Sequence, residues 1–343
     1  MKRLFAALTA LMLLLSFAGC EKAESKYQYM FFDVFDTVTE LTIYAKSESS
    51  AVAAAQSAHE RLIYLNKIFD IYNEYDDAVS LMSVNNSAAA SPVKVSQETM
   101  DLLLFSKEAY DITAGNVNIA MGSVLSIWHE YREAGLENEA SAELPPMDEL
   151  IAASEHTSID SLVLDEENLS VYFTDPYLKL DVGAVAKGFA GQIVTDELNS
   201  LIESGEISAA LLSLGGNVCA AGTKPTGDNW QVAVQNPLGD GNAAMASIAE
   251  GYMVTSGDYQ RYYTVNGIRY NHIIDPDTLM SADKFASVTV ICSDGALADA
   301  LSTALFIMDL DDGRALTESI DSAEALWIYS DGSMVYTDGF NIG

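Results

Sequence analysis

The stretch "MVTSGDYQRYYTVNGIRYNHIIDP", Met253 to Pro276, decides the fold class. It holds strand-like runs joined by Val265-Asn266-Gly267, and an Asn-Gly step between β-branched and aromatic residues signals a hairpin. The same grammar recurs outward along the chain. "SLVLDEENLSVYFTD" (161–175) reads as a hairpin with a polar turn, and "ALWIYSDGSMVYT" (325–337) as a closing hairpin around Asp331-Gly332. "ISAALLSLGGNVCAAG" (207–222) reads as a strand broken by a glycine pair, "NWQVAVQNP" (229–237) as a further strand, and "FFDVFDTVTELTIYA" (31–45) as one opening strand. Helical periodicity marks residues 50–69 and 96–115, the second with Ser96 as N-cap and Gly115 near its end. "ASVTVICSDGALADALSTALFIM" (286–308) reads as strand, turn and helix. Hairpins outnumber βαβ units, so the expectation is an α+β fold, a single domain with a mainly antiparallel sheet and packed helices. The acidic segment 132–160, with Pro145-Pro146, is expected as a surface excursion holding a short helix.

Formal net charge is −33, from 17 Lys and Arg against 50 Asp and Glu. Such a surface repels a phosphate backbone, and no basic stripe offsets it, which sets nucleic-acid binding aside. "MKRLFAALTALMLLLSFAGC" has a short basic start, an apolar run and small residues before Cys20, the layout of a secretory signal. "SFAGC" resembles a bacterial lipobox, so residues 1–19 are expected as a lipoprotein signal, Cys20 as the lipidated residue, 20–30 as lipid attachment and tether, and 31–343 as the functional domain. That places the chain outside the cytoplasm, held at a membrane by acyl chains. Cys219 and Cys292 lie in apolar strand-like runs; core packing is the ordinary reading, with a disulfide between them left open.

The chemistry centres on "LKLDVGAVAKGFAGQI" (178–193). Gly183 and Gly188 have P-loop-like spacing, but Phe189 stands where the Walker pattern needs lysine, so this is no P-loop. A glycine-rich entry into a helix still favours an anion, and Lys187 adds charge. Asp299 and Thr303 are four apart, on one face of an apolar helix. Asp299 reads equally as a ligand for a hard cation such as Mg²⁺ or as an acceptor of backbone hydrogen bonds. His272 is either a structural histidine or, beside a phosphate site, a base or phosphate contact. His59, His129 and His156 have no comparable context. Ser256, Asp258 and Arg261 form a local cluster of the kind turns make.

Together "DVGAVAKGFA" (181–190), "LLSLGGNV" (211–218), "VTSGDYQRYY" (254–263), "NHIIDPDTL" (271–279) and "SVTVICSDGALADALSTALFIM" (287–308) resemble, in order and spacing, the bacterial FAD:protein FMN transferases, or ApbE-like flavin transferases. The resemblance runs from Phe31 to the C-terminus and implies an ApbE-like, T-fold-like core. It implies FAD as substrate, with Mg²⁺ as cofactor, and transfer of FMN to a Thr or Ser hydroxyl of an acceptor redox protein outside the cytoplasm, with release of AMP. It implies FAD contacts at Tyr75, Asn116, Val117, Asn118, Asp181, Lys187, His272 and Ile273, metal ligands at Ala184 (through its carbonyl), Asp299 and Thr303, and a catalytic role for His272. Asn118 stands where the family often has aspartate, and Phe35-Asp36 replace the Met-Gly of the family's opening motif. A metal-dependent FAD pyrophosphatase giving FMN and AMP, and a non-catalytic flavin-binding lipoprotein, are the competing readings.

Overall fold

The computed structural model describes residues 24–341. The expected signal and Cys20 lie outside the described residues. The chain opens with strands β1 (Ser25–Val34) and β2 (Thr37–Ala45), then helices α1 (Glu48–Phe69) and α2 (Leu81–Ser87), strand β3 (Val93–Lys94), and helices α3 (Gln97–Ile112), α4 (Gly122–Glu137) and α5 (Met147–Ser154). Strands β4 (Leu162–Asp165) and β5 (Ser170–Phe173) lead to α6 (Ala186–Glu203), followed by β6 (Ala209–Leu214), β7 (Asn217–Ala221), β8 (Trp230–Gln235), β9 (Asn242–Ile248), β10 (Gly251–Gly257), β11 (Tyr262–Val265), β12 (Ile268–Asn271) and β13 (Ser287–Cys292). Helices α7 (Gly295–Ile307) and α8 (Leu310–Glu318) and strands β14 (Glu324–Ile328) and β15 (Met334–Tyr336) close it.

An 8-stranded sheet in the order β1-β2-β6-β7-β10-β13-β14-β15 forms the centre, and its named pairs are all antiparallel. Side-chain alternation divides its two faces. Leu41, Ile43, Leu212, Cys219, Val254, Val290 and Trp327 join the buried stripes of α1, α6 and α7. Their neighbours Leu211, Val218, Met253, Leu326 and Ile328 pack instead with Trp230, Val232 and Ile248 of the β8–β9 hairpin. The α+β, antiparallel expectation holds. A third cluster joins α4 to the β11–β12 hairpin through Val124, Trp128, Tyr263 and Val265.

Several local expectations differ from the structure. The opening strand is a hairpin, because Phe35 and Asp36 turn the chain at φ 53° and 50°. Residues 25–30, expected as tether, are already strand paired to β2. Strand β9 and helix α4 carry no strong local signal; the hairpin partner β8 and the third cluster make them. Ser96 does cap α3, accepting from Thr99 N at 3.1 Å, and Asn266-Gly267 does turn the β11–β12 hairpin, both at positive φ. Cys219 and Cys292 both pair with Tyr252, from opposite sides. They therefore stand two strand spacings apart, about 9.5 Å, beyond the roughly 7 Å reach of a disulfide, and both are free.

Candidate active site

Residues 178–193 are positioned by partners distant in sequence. Asn85 of α2 clamps Leu180 by donating from Nδ2 to its carbonyl (2.9 Å) and accepting from its N–H (2.7 Å). Asp181 N–H then donates to Ile119 O at 2.8 Å. The Asp181 carboxylate accepts from Gly183 N–H at 2.8 Å, which fixes the turn into α6. Helix α6 has no side-chain cap of its own at Val185. Asp299, buried on α7, supplies one: its Oδ2 accepts from Gly188 N–H at 2.7 Å. Its Oδ1 lies 3.9 Å from Lys187 Nζ. The two helices approach closely enough for this because Gly188 faces Gly295, where a Cβ at 188 would stand 2.3 Å from the Gly295 carbonyl oxygen.

Asn116, Val117, Asn118, Asp181, Ala184, Lys187, His272, Ile273, Asp299 and Thr303 line one cavity of about 380 Å³. Ten expected positions from four separate segments thus converge. Both side-chain ends of Asn118 are engaged: Oδ1 accepts from Ala120 N–H and Nδ2 donates to Thr157 O, each at 2.9 Å. An aspartate could not donate to that carbonyl, which accounts locally for the amide.

Tyr75 does not line the cavity. Its hydroxyl donates to Asp70 at 2.6 Å and Lys67 sits over its ring. Tyr72 lines the cavity in its place, its ring 4.9 Å from that of His129. Sequence reasoning also missed His129 and Arg132, joined at 2.7 Å (Arg132 donating to Nδ1), and Asn217. Of the Ser256–Asp258–Arg261 cluster, Ser256 and Arg261 line the cavity, and Ser256 pairs with Ser302 at 2.9 Å. The only signal for Arg132 and Arg261 was their type: basic residues are scarce in this chain, and three cationic side chains, Lys187, Arg132 and Arg261, face one cavity. That concentrates positive potential where a polyanion would enter.

His272 is open to solvent on its cavity side, yet desolvation by the surrounding wall, then the charges of Arg261, Lys187 and Arg132, push its pKa down to about 3. His272 is thus neutral. Its Nδ1 lies 3.2 Å from the Arg261 carbonyl, which only accepts, so Nδ1 carries the proton and Nε2 keeps a lone pair. Burial raises the pKa of Asp181, opposed by its bond to Gly183 and by His129, Arg132 and Arg261.

The donor set at Ala184, Asp299 and Thr303 is one carbonyl, one carboxylate and one hydroxyl. That all-oxygen set fits a small hard cation that keeps water or phosphate oxygens in its remaining positions. Among the described residues no group of three His, Cys, Asp or Glu side chains is placed to hold a metal.

A family model described as the ApbE family matches residues 35–327. The chain belongs to the ApbE family. Among its relatives, the FAD:protein FMN transferase of Klebsiella pneumoniae (strain 342) is 28% identical over 273 residues, 77% of this chain and 81% of that protein. The enzyme of the same name from Vibrio cholerae is 28% identical over 316 residues, 91% of this chain and 90% of that one. The crystal structure of the ApbE protein from Thermotoga maritima superposes with a TM-score of 0.79 at 27% identity, covering 92% of this chain and 97% of its own. The ApbE match begins at Phe35, the turn that delivers Asp36 and Thr37 to the cavity.

Proposed function

We propose that this chain transfers the FMN half of FAD to a Thr or Ser hydroxyl of an acceptor redox protein outside the cytoplasm, releasing AMP. The observation that carries the reading is the convergence of Asp181, Lys187, His272, Asp299 and Thr303 on one cavity in a chain whose relatives bear that enzyme name. The acceptor oxygen attacks the FMN phosphorus and a new P–O bond forms. The diphosphate bridge breaks, and AMP leaves with the bridging oxygen. Neutral His272, with its Nε2 lone pair free, takes the hydroxyl proton and passes it to solvent. The cations lining the cavity lower its basicity before substrate binds; the diphosphate offsets them and restores it. Lys187, at the start of α6, holds diphosphate oxygens. Asp299, Thr303 and the Ala184 carbonyl would hold Mg²⁺, which when bound would neutralise charge on the diphosphate. Such a sparse set suffices because phosphoryl transfer needs mainly positioning and charge stabilisation.

The lipobox-like "SFAGC" supports lipid attachment at Cys20 and a position at the outer face of a membrane, where an extracytoplasmic acceptor is within reach. The test mixes the protein with FAD, Mg²⁺ and a flavin-carrier domain and reads intact masses. A metal-dependent gain of one FMN on the carrier, lost when its target threonine is replaced, is expected. Free FMN and AMP with an unmodified carrier would replace this reading with FAD hydrolysis.

A further inference from the structure

Asn217 opens β7, directly after the Gly215-Gly216 turn, and pairs with Val254 of β10 and Leu214 of β6. It is 2% exposed, and its side-chain Nδ2 is buried without a hydrogen-bond partner, although Asn217 lines the cavity. An orphaned buried donor costs stability, so folding leaves this amide waiting for an acceptor that no other described residue supplies. Alternation along β7 shows where it points. Cys219 faces α6: its Sγ would lie 2.8 Å from a Cβ at Gly191. Three residues further on, just past the end of the strand, Gly222 meets Ile202 of the same helix, so strand and helix run the same way. Asn217 therefore lies on the helix side, shifted toward the helix start, where Lys187 and the Asp299 cap stand.

We infer that Asn217 contacts the substrate, its Nδ2 donating to a non-bridging oxygen of the phosphoryl group that is transferred. The inference rests on the flavin-transfer reading and deepens it. An amide suits this position because Lys187 and the proposed cation already supply charge. The bond tightens as negative charge gathers on the phosphoryl oxygens, so it acts on turnover more than on binding.

The test compares the full wild-type chain with Asn217→Ala and Asn217→Asp, using FAD, Mg²⁺ and a flavin-carrier domain as probes. For Asn217→Ala, kcat is expected to fall about 100-fold with the KM for FAD changed less than about threefold, and the melting temperature without FAD to hold or rise, since an orphaned donor has gone. Asn217→Asp, isosteric but an acceptor with a negative charge, is expected to be slower still. The inference is overturned if Asn217→Ala keeps kcat within about twofold of wild type. It is equally overturned if Asn217→Asp retains turnover with tighter Mg²⁺ binding, which would make Oδ1 a metal ligand. A melting temperature lowered in step with activity in both variants would make the residue structural. Wild-type chain that binds FAD yet forms no AMP would sink the transfer reading first, and this inference with it.

Discussion

Gly188→Ala tests the idea that one helix contact builds the site. A Cβ there would stand 2.3 Å from the Gly295 carbonyl oxygen and 2.5 Å from Asp299 Cβ. Neither neighbour is the flexible end of a side chain, so the helices must separate. Overpacking of this kind costs about 1–3 kcal/mol. Separation also stretches the 2.7 Å bond from Gly188 N–H to Asp299, and a hydrogen bond to a charged group is worth about 1.5–3 kcal/mol. Alanine returns about 1 kcal/mol of helix propensity. The net loss is about 1.5–5 kcal/mol, which for a chain of this length lowers Tm by about 2–7 °C. Calorimetry should show that drop, with Mg²⁺-dependent turnover of FAD falling alongside, because Asp299 and Lys187 both move. The control is Gly239→Ala, whose Cβ meets only the Asn236 side chain at 3.8 Å; it should stay within about 0.5 kcal/mol of wild type. A Gly188→Ala protein that melts within about one degree of wild type would refute the close-packing argument.

Three further outcomes are expected. Tyr72→Ala should weaken FAD binding about 5- to 30-fold through lost stacking, while Tyr75→Ala changes it less than about twofold and mainly loosens the Asp70 loop; fluorescence titration decides between them, and the reverse order would restore Tyr75. Asp299→Asn should abolish the Mg²⁺ dependence of turnover, checked by metal titration of activity; an unaltered Mg²⁺ curve would remove Asp299 from the ligand set. For His272 the folded pKa, near 3, lies below the unfolded value of about 6.5, so the unfolded chain takes up the proton first. Its contribution therefore makes the fold less stable as pH drops from about 6.5 toward 3, and the acid limb of kcat/KM should lie below pH 6. An ordinary histidine limb near 6.5 would contradict the described environment, and His272→Gln should remove the limb altogether.

Much of the site was legible because its parts are local. The turn at Asn266-Gly267, the Ser96 cap, the Gly183–Gly188 entry to a helix and the Asp299–Thr303 spacing each follow from a few adjacent residues, and all stand as read. Tyr72 and Tyr75 show where that stops. Three residues apart in a loop without a repeating period, they present no pattern that says which ring faces the cavity. Asp70 decides it, by binding the Tyr75 hydroxyl.

The sequence by itself determined the balance of strands and helices, the hairpin grammar and the segments that carry Asp181, Lys187, His272 and Asp299. Periodicity fixes which side of an element is apolar, and turn residues fix where a chain reverses. Tertiary structure alone decided what meets across the chain: Asn85 with Leu180, Gly188 with Asp299, Gly215 against Thr37, and Tyr252 holding Cys219 and Cys292 apart. It also brought Arg132, His129 and Asn217, whose Nδ2 has no partner among the described residues, into the cavity. Those contacts depend on which elements become neighbours, and that choice is made by burial summed over the whole sheet, which no short stretch of sequence contains.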